Sequence, residues 1–254
     1  MKPNNQIIPK AMVTSEQSIR FDFGPSMNLE TLRIIQQFCT FIENSPNPFL
    51  DEVVPCNQTV TVFYHKELVN PVDTIEGILT KWAKRSDNAL VVSTRSIEIP
   101  VCYDESFSDD MARIIAHTEL TREEIISLHT STTYTVYMIG FLPGFPYLGD
   151  LPKELHVPRL DKPRLQVAKG TVGIGGTQTG IYPIESPGGW NIIGRTPLDL
   201  YCLERAEPFL IRAGDQLCFR SISFDDFNVM KENLAREPEI IKQFVKEGLR
   251  CEST

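Results

Sequence analysis

The sequence predicts an α+β chain in two parts with a helical tail, and three observations carry that reading. The first hundred residues alternate period-two and helical apolar patterns in the order β-α-β-β-α-β, the split β-α-β arrangement of a ferredoxin-like domain. From Gly140 to Arg220 short apolar runs are punctuated by Gly and Pro, the composition of a closed or sandwiched β-domain. After Ser223 amphipathic helical spacing returns. The expected boundaries are 1–97 for the first domain, 98–222 for the β-domain and 223–254 for a helical extension.

Each element has a local reason. Ser18 to Phe23 alternates polar and apolar residues until Gly24-Pro25 stops it, the pattern of a half-buried strand. Asn28 can cap a helix that carries Leu29, Leu32, Ile35, Cys39 and Ile42 on one stripe and ends before Pro46. Asp51–Pro55 and Thr59–Tyr64 read as a hairpin around Cys56-Asn57-Gln58. Asp73 with Glu76 resembles a capping box for a helix presenting Ile75, Ile78, Leu79 and Trp82. Ser96–Cys102 is the strand expected to complete the first domain. Ser108–His117 and Thr121–Leu128 then read as short helices, the second with a Thr121/Glu124 capping box, and Thr133–Ile139 as a buried strand. Ser223 and Asp226 cap a helix with Phe227, Met230 and Leu234, and Pro238 opens a last one with Ile241 and Phe244.

Composition narrows the function. With 25 Lys plus Arg against 33 Asp plus Glu, the net charge of −8 and the lack of any basic run speak against nucleic acid and anionic membranes as partners. No apolar run approaches the roughly 20 residues of a membrane span, and the N-terminus lacks a signal-peptide core, so a cytoplasmic protein is expected. The six cysteines are scattered with no metal-ligand spacing, which predicts reduced thiols and no metal site.

The stretch GIGGTQTGIYPIESPGGWNIIGRTP at 173–197 holds the chemistry-bearing candidates. Its glycines do not complete G-x-G-x-x-G, because Gln178 stands where the third is required, and the chain has no Gly-Lys-Ser/Thr for a P-loop. Ser186 lacks the upstream glycine of a nucleophile elbow and no His follows it. The remaining reading is rigid backbone displaying Gln178, Tyr182, Glu185, Ser186, Trp190 and Arg195 along a preorganised polar cleft, with Phe145 beside them. Arg195 has the planar fork to grip a carboxylate or carbonyl, or to tie loops together. His129, before Thr130-Ser131-Thr132, is the candidate proton carrier, or else a hydrogen-bonded structural histidine.

GFLPGFPYLGDLP at 140–152, PRLDKPRLQVAKGTVGIGGTQTGIYPIESPGGWNIIGRTPLDLY at 158–201 and the preceding LHTSTTYTVYMIGF resemble one family known under three descriptions: allophanate hydrolase subunit 1, the 5-oxoprolinase B subunit and the sporulation histidine-kinase inhibitor. The resemblance covers about Ile97 to Arg220, and it implies a ferredoxin-like domain followed by a cyclophilin-like β-barrel. It implies the B subunit of an ATP-dependent 5-oxoprolinase that acts with the A and C subunits, ATP and Mg being used by the complex at a site not identifiable in this chain. Two other roles are implied by branches of the family: an inhibitor that binds a histidine kinase, for which Phe141–Leu148 offers aromatic anchors, and a component of allophanate or urea amidolyase. The barrel resemblance alone does not make the chain a prolyl isomerase.

Overall fold

The computed structural model describes residues 7–25, 28–68, 70–85 and 95–247, and the chain divides into two compact units, Met1–Val92 and Ser93–Thr254. In the first unit, β1 (Lys10–Ser15), β2 (Ser18–Asp22), β3 (Leu50–Cys56) and β4 (Thr59–Tyr64) form an antiparallel sheet in the order β1-β2-β4-β3. The helices α1 (Leu29–Glu43) and α2 (Pro71–Lys84) contribute Ile35, Phe38, Ile42 and Trp82 to one core with Ile19, Phe21, Val60, Val62 and Tyr64 of the sheet. The Asn28 side chain accepts from Thr31 N at 2.9 Å, so the α1 start follows the expected cap.

Two expectations for this unit are corrected. Asn70, not Asp73, caps α2: its side chain accepts from Asp73 N, and Pro71 takes the first position, where its missing N–H costs nothing. The strand expected to complete the first domain is absent from this sheet. Its place beside β2 is taken by β1, whose exposed residues carry no alternating pattern, while β5 (Arg95–Cys102) lies wholly in the second unit.

The second unit is a closed barrel of seven strands. Around the ring run β12 (Asn191–Arg195), β9 (Thr171–Gly175), β10 (Gln178–Ile181), β7 (Pro146–Leu148), β6 (Thr133–Ile139), β13 (Gln216–Ile222) and β5, and an Arg195–Cys102 pairing closes it. Among the described strands only β5 and β13 run parallel. A small antiparallel pair, β8 (Arg164–Val167) and β11 (Ser186–Gly188), stands outside the ring. Ile97, Ile99, Val136, Leu148, Val172, Ile174, Ile193 and Leu217 fill the interior. Helices α3 (Met111–Thr118) and α4 (Arg122–Ser131) pack Ile114 and Ile125 against this core, α4 starting at the predicted Thr121/Glu124 capping box.

The C-terminal segment is more than helical. α5 (Phe224–Arg236) buries Phe227 against Cys102 and Ile222, the 3₁₀ turn Pro238–Phe244 gives Ile241 and Phe244 to the barrel core, and β14 (Val245–Glu247) pairs with β5. Cys39, Cys56, Cys102 and Cys202 are free thiols as expected, whereas Cys218 is disulfide-bonded, against the expectation of reduced thiols throughout. Among the described residues no helix is long and apolar enough to cross a membrane.

Candidate functional site

The β9–β10 hairpin builds the floor of the site. Trp190 lies flat on Gly175, where an added Cβ would come within 2.7–2.8 Å of the indole ring, and Gly180 brings Pro146 O within 2.8 Å of such a Cβ, with Trp190 and Phe145 close behind. A side chain at either position would therefore push the indole off the strand. Against this floor Phe145 makes edge contacts with Tyr147 (4.9 Å), Tyr182 (5.2 Å) and Trp190 (5.5 Å), and Phe141 meets Phe145 at 5.8 Å. The rings border a cleft of about 330 Å³ whose far wall comes from Arg159, Leu160, Pro163 and Pro187–Gly189. Leu160 N donates to Gly189 O at 2.7 Å and joins the two segments of that wall.

The structure brings Phe145, Tyr182 and Trp190 to this cleft, all of them buried. It places the other candidates elsewhere. Gln178 stands at the start of β10, paired with Gly175, and Glu185 is exposed; neither lines the cleft. Ser186 is buried in β11 and donates to Pro187 O at 3.2 Å. Arg195 uses Nε to donate to Lys169 O at 2.9 Å and sets its guanidinium 5.6 Å from the Phe107 ring, a loop-tying position rather than a cleft position.

His129 sits inside the barrel, fully buried and stacked on Phe219 at 4.3 Å. Its tautomer follows from its partners. Thr179 Oγ1 donates its one proton to Gly173 O at 3.0 Å, so at 3.0 Å it accepts from His129 Nε2–H. Nδ1 is left to accept from the Tyr103 hydroxyl at 2.7 Å. Burial pushes the imidazole pKa down to about 3, which keeps the ring neutral. Every polar atom of the ring is satisfied by a core partner, and none borders the cleft.

Arg159 and Pro163 line the cleft without having been singled out in the sequence, whereas Tyr147 belongs to the Phe141–Leu148 segment noted there for its aromatic anchors. A signal was there: Pro158-Arg159-Leu160 recurs as Pro163-Arg164-Leu165 five residues on. The two arginines differ in role. Arg164 Nη2 donates to Asp110 Oδ1 at 2.7 Å, and Asp110 in turn accepts from Ile192 N, fixing the start of α3 to β12. Arg159 is exposed at the cleft mouth, 5.4 Å over the Trp190 ring, in no ion pair among the described residues.

Residues 9–211 match the family model described as carboxyltransferase domain, subdomain C and D. The chain is 37% identical over 226 residues to the B subunit of 5-oxoprolinase from Bacillus subtilis strain 168, covering 85% of this chain and 94% of that one. The chain belongs to the family of 5-oxoprolinase B subunits. Among solved structures TTHA0988 is similar, with TM-score 0.70 and 31% identity over 82% of this chain, but only 40% of TTHA0988 is covered. The Kluyveromyces lactis urea amidolyase shares the fold alone, with TM-score 0.74 at 18% identity over 97% of this chain and 17% of that one.

Proposed function

We propose that this chain is the B subunit of an ATP-dependent 5-oxoprolinase that converts 5-oxo-L-proline to L-glutamate, working with the A and C subunits and inactive without them. The observation that carries the reading is a match to 94% of the Bacillus subtilis protein, together with a ring-walled cleft of about 330 Å³ on the barrel. We read the first unit as ferredoxin-like with its fourth strand supplied by β1, the barrel as cyclophilin-like, and the complex as cytoplasmic.

ATP and Mg fit poorly on this chain. The sequence has no P-loop, and among the described residues no three His, Cys, Asp or Glu side chains gather where a divalent ion would be held. What this chain's residues can do is bind and orient a small ring and exclude water, by Phe145, Tyr147, Tyr182 and Trp190.

Hydrolysis of an unstrained amide ring requires the carbonyl to be activated, so the test couples the two reactions. Purified A and C subunits are assayed for 5-oxoproline-dependent ATP hydrolysis and glutamate formation with and without this chain. Turnover that needs all three supports the proposal; equal turnover without this chain overturns it.

A further inference from the structure

The cleft presents donors to whatever enters it. Its polar side-chain groups are the Arg159 guanidinium, the Tyr147 and Tyr182 hydroxyls and the Trp190 indole N–H, and no carboxylate or carboxamide lines it. Two of these groups are poised. Arg164 and Arg195 are engaged by Asp110 and by Lys169 O, whereas Arg159 has no ion pair among the described residues and stands 5.4 Å over Trp190. Tyr182 is 1% exposed, and its oxygen takes a hydrogen bond from the Trp190 backbone. Its own proton finds no acceptor among the described residues. Burial raises its pKa, so the phenol stays protonated and can donate at neutral pH.

A matching ligand needs an anionic group for Arg159, a neutral acceptor for Tyr182 and a compact body to lie among the rings. A guanidinium holds a carboxylate through two parallel N–H donors, and a buried phenol with an unused proton favours a carbonyl over water. A cationic amine is disfavoured by Arg159 itself. We infer that Arg159 and Tyr182 set the specificity of this cleft for a small ring carrying both a carboxylate and a ring carbonyl, Arg159 taking the first and Tyr182 the second. The inference rests on the oxoprolinase reading only in identifying that ring as 5-oxo-L-proline.

Titration calorimetry on the full chain, alone and with the A and C subunits, separates the two contacts. The probes are 5-oxo-L-proline, pyrrolidinone, which lacks the carboxylate, and cyclopentanecarboxylate, which lacks the ring carbonyl. Arg159→Gln is expected to weaken 5-oxoproline and cyclopentanecarboxylate by about tenfold and to leave pyrrolidinone unchanged. Tyr182→Phe, which keeps the ring packing, is expected to weaken 5-oxoproline and pyrrolidinone by about fivefold and to leave cyclopentanecarboxylate unchanged. Variants that titrate like the parent, or no binding of any probe to chain or complex, overturn the inference. Its failure is separable from that of the proposed function. A complex that turns over 5-oxoproline with unaltered KM in both variants rejects the cleft assignment alone. Arg159-dependent ring binding without 5-oxoproline turnover rejects the oxoprolinase reading alone.

Discussion

Acidification tests the buried His129 cluster directly. In an unfolded chain a histidine titrates near 6.5, but in the native barrel burial holds the His129 pKa at about 3. Below the unfolded value the unfolded chain therefore binds a proton that the native chain refuses. The stability contribution is fully present above about pH 6.5 and is lost progressively as pH falls toward the native value. Each pH unit in that window removes about 1.4 kcal/mol, so the loss from pH 7 to pH 5 is about 2 kcal/mol. This figure depends on the unfolded pKa alone, because the native one lies far below pH 5. His129→Gln keeps a polar group in the site but cannot titrate. It is expected to be less stable than the parent at pH 7 by roughly 1–3 kcal/mol through lost hydrogen bonds to Tyr103 and Thr179. That gap should shrink by about 2 kcal/mol at pH 5, since every carboxylate and the other histidines titrate alike in both chains. Denaturant unfolding followed by Trp190 fluorescence in a Trp82→Phe background reports on the barrel unit. Parallel pH slopes for parent and variant would refute a neutral, buried His129.

Three further substitutions probe other links. Gly180→Ala adds a methyl 2.8 Å from Pro146 O and 3.0 Å from Trp190 Cζ3, so barrel stability should drop by about 1–3 kcal/mol and ring ligands should bind more weakly, as read by melting and calorimetry. Arg95→Ala strips the partner from Asp215, which accepts from Arg95 at 3.0 and 2.6 Å in a pair whose side chains are only 11% and 5% exposed; a loss of about 3–5 kcal/mol in denaturation is expected. Arg220→Ala breaks a pair with Glu98 that is 45% and 41% exposed and links the neighbouring strands β13 and β5, yet it should cost under about 1 kcal/mol. Equal costs for the two arginine variants would contradict the burial argument.

Period and punctuation made much of the fold legible. Thr133–Ile139 forms β6 as expected from its apolar run, and the Thr121/Glu124 box starts α4 because both of its reciprocal bonds are local. What failed depended on partners distant in sequence. Ser96–Cys102 reads identically as the last strand of one sheet or the first of another, and only its seven-residue parallel register with β13 decides. β1 was missed because its residues are exposed nearly throughout, so it shows no apolar face. In the site, Phe145, Tyr182 and Trp190 were legible as large residues among glycines. Arg195 was left with two readings because a forked cation looks the same whether it faces a ligand or ties loops through a backbone carbonyl, here Lys169 O.

The two faces of β10 connect the buried histidine to the cleft. Side chains alternate along a strand, so Thr179 turns into the barrel and Gly180 turns outward. Inside, Thr179 accepts from His129 and donates to Gly173 O; outside, Gly180 leaves room for Phe145 and Trp190. In the ladder with β7, Thr179 pairs with Leu148 and Gly180 with Tyr147. A slip of one residue would put the threonine under the indole and the glycine against the imidazole, emptying one site and blocking the other. The barrel wall is one strand thick at this point. His129 can therefore matter to the cleft without touching a ligand, by holding the register that keeps the floor flat. Loss of the histidine should accordingly lower stability first and ring affinity only as far as the floor shifts.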